Sequence, residues 1–176
     1  MVVQNLVRVS NFKNLDGVAA INKIKELAED ARICMFNTSL SNVPCSTRPM
    51  ALQEVDENGC IWFFSGANSD KNADIKTDDR VQLIFMNNAS SEYLTLSGKA
   101  IILIDKNKFE ELWTPIAKAW FSGGVDDPNL SLIKFTPDSG HYWDTKNNKF
   151  FALAKIAIGA LTGTRMDDGV QGNVNP

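Results

Sequence analysis

Two runs, Cys60-Ile61-Trp62-Phe63-Phe64 and Val81-Gln82-Leu83-Ile84-Phe85, are apolar at nearly every position, and they constrain the fold more than any other feature. Successive side chains of a β-strand point to opposite faces, so strands of this kind need cover on both sides. One face can fill the inside of a barrel. The other needs a helix, a bound aromatic ligand or a second subunit, because a lone antiparallel sheet normally leaves one face polar. The 176 residues, 44% of them apolar, suffice for a single core; a chain of this size buries roughly 70% of its extended surface.

The rest of the chain fits a β-rich domain with a few helices. Val18, Ile21, Ile24, Leu27, Ala28 and Ala31 recur at three- and four-residue steps and predict an amphipathic helix, with Asp16 placed to cap its start. Short apolar runs separated by turn formers then predict strands over Ile33–Thr38, Cys45–Val55, Cys60–Ser65, Val81–Met86 and Tyr93–Ile104. Asp56-Glu57-Asn58-Gly59 reads as a hairpin turn in which Asn58 and Gly59 take left-handed backbone angles, making the second and third strands neighbours. Gly98, inside the longest run, marks a bulge or close backbone approach that lets the strand bend. Asp105 caps a helix from Lys106 towards Ala119 that Pro115 kinks or splits. Leu130–Thr136 and His141–Asp144 read as two strands around a Pro137–Gly140 turn, followed by an apolar helix near Phe150–Leu161 and a mobile Gly- and Asp-rich tail.

Several functions are disfavoured by what the residues lack. Eighteen basic against 21 acidic residues give a net charge of −3, which argues against a nucleic-acid or anionic-lipid surface. The longest apolar stretch is about a dozen residues where a membrane helix needs about 20, and no secretory signal is evident, so a cytoplasmic location is expected. Cys34, Cys45 and Cys60 are odd in number and widely spaced, and read as reduced thiols rather than a zinc or disulfide set. His141 is the only histidine and there is no Gly-x-Ser-x-Gly elbow, which leaves no Ser-His-Asp triad to build. Paired-histidine or thiolate metal sites fail equally, and no P-loop or Gly-x-Gly-x-x-Gly stretch occurs.

What remains is a pair of anion-binding segments beside aromatic strands. Ser46-Thr47-Arg48-Pro49-Met50 opens the second strand, where Pro49 implies an edge position and Arg48 offers a planar fork to a phosphate. After the third strand, Ser65-Gly66-Ala67-Asn68-Ser69-Asp70-Lys71 leads into a short helix, where backbone N–H groups, the Ser69 hydroxyl and the Lys71 ammonium can converge on the same group. Taken alone, each segment is as well explained by a helix cap or a surface ion pair.

In order, Ser-Thr-Arg-Pro-Met, Trp-Phe-Phe-Ser, Ser-Asp-Lys, Tyr-Leu-Thr-Leu-Ser-Gly, Leu-Trp, Trp-Phe-Ser-Gly-Gly-Val-Asp-Asp-Pro and Tyr-Trp-Asp resemble the general stress protein branch of the pyridoxamine 5′-phosphate oxidase-like flavoproteins, from about Ile24 to Asp144. The resemblance implies a mainly β (α+β) fold: a six-stranded antiparallel Greek-key split barrel with flanking helices, usually a homodimer holding two flavins at its interface. It implies an N-terminal extension over 1–15, a barrel domain over 16–146, and a C-terminal helix and flexible tail over 147–176. It also implies that Arg48, Ser69 and Lys71 bind the phosphate of FMN, with FAD as a second possibility. The backbone around Pro49 and Met50 and around Phe63, Phe64 and Ser65 would line the ring and ribityl chain. Trp113 and Trp120 would approach the flavin from the second subunit.

Two departures qualify the resemblance. Where the oxidases proper carry an Arg-Lys pair after the phosphate-loop serine, this chain has Asp70-Lys71, one cation fewer and one anion more. Their C-terminal Trp, Arg and His arrangement for the pyridoxal phosphate ester is not visible, so the resemblance does not extend to vitamin B6 oxidation. The functional expectation is an FMN-dependent oxidoreductase with an unspecified small-molecule redox partner. The alternatives are a flavin-binding protein that stores, senses or delivers the cofactor, and a barrel that keeps the dimer without the cofactor.

Overall fold

The structure, a computed structural model, describes residues 12–144 and 169–176. In chain order its elements are β1 (Leu15–Asp16), α1 (Val18–Ala31), β2 (Ile33–Thr38), β3 (Ser46–Ala51), β4 (Glu54–Val55), β5 (Ile61–Gly66), α2 (Asp70–Thr77), β6 (Arg80–Asn87), β7 (Glu92–Leu103), α3 (Lys106–Leu112), β8 (Leu130–Asp144) and β9 (Val170–Asn175). The predicted helix near Phe150–Leu161 lies outside the described residues. Among the described residues no helix is long and apolar enough to cross a membrane.

Six strands, in the order β3-β2-β6-β7-β8-β5, form an antiparallel sheet. The two end strands, β3 and β5, approach one another without forming a ladder. This is the split barrel. Its interior is filled by the inward residues of each strand, among them Phe36, Phe63, Leu83, Phe85, Leu94, Leu96, Ile133 and Phe135, together with Ile24, Leu27 and Ala28 of α1. Phe36 and Phe63 meet edge to face at 5.4 Å between ring centroids, a geometry worth about 1 kcal/mol beyond burial.

The doubly apolar β5 receives the cover its sequence demands. Trp62 and Phe64 point away from the barrel interior into a second cluster built from Phe109 and Leu112 of α3, Phe121, Leu130 and Leu132. Lys108 and Lys134 lie 5.0 and 5.3 Å from the Trp62 ring, and Asp56 accepts its indole N–H at 2.9 Å. On β6, by contrast, Val81, Leu83 and Phe85 are buried while Gln82 and Ile84 are only half-buried. The outer face there belongs to a patch that no described residue covers.

Several expectations hold in detail. Asp105 caps α3 by accepting the Lys108 N–H, and Pro115 starts a separate 3₁₀ turn, so it splits the helix rather than kinking it. Gly98 sits at a register shift between β7 and β8. A Cβ there would lie 2.1 Å from the Thr136 carbonyl oxygen, so no side chain fits without moving backbone. Cys34, Cys45 and Cys60 are free thiols; burial pushes the Cys34 thiol up to about 12 and makes it a poor nucleophile.

Other expectations are corrected. Asp16 does not cap α1: Gly17 occupies that position with φ 54°, while Asp16 belongs to β1 and accepts a hydrogen bond from Asn175. Val18 is exposed rather than on the buried stripe. Only Gly59 of the Asp56–Gly59 turn has positive φ; Asn58 instead donates its N–H to the Asp56 carboxylate. The predicted Cys45–Val55 strand is two strands. The Leu52 N–H bonds to the Arg32 carbonyl beside β2, whereas the Gln53 N–H bonds to the Trp62 carbonyl on β5. The chain changes sides between them, so β4 rather than β3 pairs with β5.

Residues 137–140 do not turn, since β8 runs unbroken from Leu130 to Asp144. Pro137 is tolerated because it falls between Phe135, the last partner of β5, and Gly140, the first partner of β9. The end of the expected flexible tail is also ordered into β9, antiparallel to β8 and parallel to β1. Lys13 and Gly17 donate their N–H groups to Gln171 and Asn175, and the Tyr142 hydroxyl bonds to the Lys13 carbonyl. The two ends of the chain thereby cover the distal edge of β8.

Candidate functional site

Where β3 and β5 diverge, the seam opens into a cavity of about 350 Å³. Arg48, Pro49, Met50, Ala51 and Gln53 line one wall, Phe64, Ser65, Gly66 and Lys71 a second, and Thr114, Ile116, Ala117, Trp120 and Phe121 of the segment after α3 a third. The walls are mostly apolar, with two cations among them.

The α2 end is held by a buried polar ring. Ser65 Oγ donates to Asn72 Oδ1 at 2.7 Å, Asn72 Nδ2 donates to Ser131 Oγ at 3.0 Å, and Ser131 Oγ donates to the Ser65 carbonyl at 2.9 Å. Each of the three is almost fully buried, so this ring fixes the first turn of α2 against β5 and β8. Lys71, in that turn, is thereby presented to the cavity. Among the described residues it makes no ion pair, although it is only partly exposed. Burial, and then the Arg48 charge, lower its pKa from the usual lysine value, partly offset by Asp70. A half-buried ammonium near a guanidinium is a site waiting for an anion.

Arg48 is anchored from behind. Its Nη1 donates to Thr38 Oγ1 at 2.7 Å and its Nη2 lies 3.4 Å from Asp74 Oδ2. The Thr38 hydroxyl in turn donates to the same Asp74 oxygen at 2.6 Å. That hydrogen bond, followed by Ser39 and Arg48, holds the Asp74 carboxyl below its usual range against the opposing effect of burial.

Of the residues singled out in the sequence, Arg48, Pro49, Met50, Phe64, Ser65, Lys71 and Trp120 come together here. Three do not line the cavity. Phe63 is fully buried inside the barrel, because strand alternation sends it opposite to Phe64. Ser69 turns its hydroxyl towards Ser65 at 3.3 Å, and Trp113 packs on Phe64 at 5.9 Å between ring centroids. Trp120 lines the cavity of its own chain and is 81% exposed at the rim. Sequence reasoning missed Gln53, Phe121, Thr38 and Asp74. Asp74 alone left a readable signal: three residues after Lys71, it shares that residue's helix face.

One consequence is a pH dependence. An anion bound here keeps Lys71 protonated, so its affinity is full below the lowered pKa of the free site and falls as pH rises through it. Titrating a phosphate monoester against its phosphate-free counterpart at increasing pH should show an extra loss for the ester, beginning below the ordinary lysine range of about 10.4. A parallel decline for both ligands would contradict it.

Known proteins share this architecture. A structure from Jannaschia sp. CCS1 assigned to general stress protein 26 superposes with a TM-score of 0.74 at 29% identity, covering 91% of this chain and all of that one. The general stress FMN/FAD binding protein of Xanthomonas citri gives 0.61 at 28% identity over 71% of this chain and 87% of its own. Protein bli-3 of Neurospora crassa is 29% identical over 153 residues, 81% of this chain and 73% of that protein. The pattern that defines pyridoxamine 5′-phosphate oxidase like proteins matches residues 19–167, nearly the whole chain, and with the split barrel it establishes that this protein belongs to that family.

Proposed function

We propose that the chain binds a flavin mononucleotide, with its phosphate between Arg48 and Lys71 and its ring against Met50, Phe64 and Trp120. The observation that carries this reading is the half-buried Lys71, in no salt bridge among the described residues, at the cationic end of a mostly apolar cavity. The Xanthomonas citri relative, an FMN/FAD binding protein, supports it. When bound, a flavin supplies electron and hydride transfer. The chain's own residues have simpler tasks. Arg48 and Lys71 neutralise the phosphate, the Ser65–Asn72–Ser131 ring keeps the loop rigid, and Phe64 and Phe121 exclude water from one wall. FAD fits only if its second phosphate and adenosine leave through the open side of the seam.

The reaction is that of a flavin-dependent oxidoreductase acting on a small molecule, in keeping with the general stress proteins among its relatives. A second reading is favoured by one observation: among the described residues that line the cavity there is no His, Cys, Asp or Glu. Few proton-transferring groups are then available, which suits a protein that stores, senses or delivers the flavin. Reduction by a nicotinamide donor and reoxidation by an acceptor, compared with free flavin, separate the two. Turnover no faster than free flavin means a carrier.

The assembly is a homodimer. Ile33 and Met86 are 56% and 52% exposed and adjoin Met35, Ile84, Tyr93 and Trp143 on one face of the sheet. Met35 pairs with Pro49 and Ile33 with Ala51, and both partners also line the cavity. A second copy on this face would therefore help to wall the flavin in. The variant Ile84→Lys should sediment as a monomer and bind FMN more weakly; a dimer of unchanged affinity would refute this interface.

A further inference from the structure

We infer that Asp74, which stands behind the cavity rather than in its wall, is the positioning residue that aims Arg48 at the phosphate and limits how tightly that phosphate is held. The inference rests on the flavin reading above. Thr38 Oγ1, Asp74 Oδ2 and the Arg48 guanidinium form a closed triangle with legs of 2.6, 2.7 and 3.4 Å. Thr38 is fully buried, so the triangle has a rigid base. A guanidinium has five N–H donors; two are committed to the triangle, and three remain for an anion in the cavity.

The same carboxylate acts against the ligand's charge. At the phosphate end stand two cations, Arg48 and Lys71, and two carboxylates of α2, Asp70 and Asp74; Ser39 of the segment after β2 also bonds Asp74 and is neutral. The 3.4 Å leg is long for a charge-assisted hydrogen bond, so Asp74 aims the guanidinium mainly through Thr38, whose hydroxyl it orients, and acts on Arg48 directly as a neighbouring charge. It cancels part of the field that Arg48 offers and repels the phosphate. Asp74 thus trades affinity for aim, keeping the flavin exchangeable.

The two effects separate in substitution. Asp74→Asn keeps an oxygen acceptor for Thr38 and Arg48 but removes the charge, whereas Asp74→Ala removes both. In flavin-fluorescence titrations of the full chain, Asp74→Asn should bind FMN about five- to tenfold more tightly than wild type, with a steeper salt dependence. Riboflavin affinity should not change. Asp74→Ala should fall clearly below Asp74→Asn for FMN, because the guanidinium loses its support. FMN affinity of Asp74→Asn that is unchanged or weaker, or FMN and riboflavin moving in step, overturns the inference while leaving the flavin reading in place. Wild type that binds no flavin, or binds riboflavin as tightly as FMN, overturns the phosphate placement itself and this inference with it.

Discussion

Changing Arg48 and Lys71 together to Ala should lower FMN affinity by roughly 100-fold or more, since each removes a charge-assisted contact worth about 1.5–3 kcal/mol. Both side chains are only partly exposed, so their charges are screened less than those of a surface pair. The single variants should each lose about tenfold or more. Their sum need not equal the double, because removing Arg48 also removes the repulsion that lowers the Lys71 pKa. Riboflavin binding should change little in all three, as it uses the apolar walls alone. Isothermal titration of both ligands checks the prediction. An unchanged FMN affinity in the double variant would show that the phosphate lies elsewhere.

A large effect on stability is expected at Gly98, within the β7–β8 ladder. A Cβ there would meet the Thr136 oxygen at 2.1 Å and the Pro137 Cα at 2.9 Å, both backbone atoms that cannot rotate away. This is the register shift at which β7 and β8 cross from the barrel to the part of the sheet extended by β9. Gly98→Ala should cost about 3 kcal/mol or more, lowering Tm by roughly 10 °C. Gly17→Ala offers the contrast: its φ is 54°, but a Cβ would meet nothing within 4 Å. Only the backbone penalty applies there, about 1–3 kcal/mol, because φ 54° with ψ −132° lies outside the left-handed helical region. Thermal unfolding of both variants tests the ranking, and a smaller loss at Gly98 than at Gly17 would contradict the close approach.

The parts of the fold that were legible in the sequence are those fixed locally. The Asp105 cap, the apolar strand runs, the Gly98 bulge and the Asp56–Gly59 turn each depend on a few adjacent residues and backbone angles. What was illegible depends on distant partners. Pro137-Asp138-Ser139-Gly140 has turn composition, yet it stays extended because β7 pairs with it through Gly98–Pro137 and Leu96–Gly140. Val170, Gly172 and Val174 alternate as a strand would, but among Gln and Asn that pattern becomes a strand only once β8 and residues 13–16 offer donors and acceptors. Asp16 failed as a cap for the same reason, since its segment is drawn into pairing with β9.

The site divides along the same line. Arg48 and Lys71 were readable because a cation at a strand edge and another in a first helical turn are local patterns, and the structure brings both to one cavity. Which of Phe63 and Phe64 turns its side chain inward was not legible, because five apolar residues in a row hide the alternation. Thr38 and Gln53 carry no signal, since their roles come from how β2, β3 and β5 meet. A split barrel leaves one seam between end strands, and the residues on either side of that seam form the candidate site through proximity.

The most direct test is a crystal structure of the protein with FMN. The phosphate oxygens should lie within about 3 Å of the Arg48 guanidinium and the Lys71 ammonium, with the ring in the seam between β3 and β5 against Phe64. A flavin bound elsewhere, or crystals soaked at saturating FMN in which Arg48 and Lys71 contact no phosphate, would contradict the account.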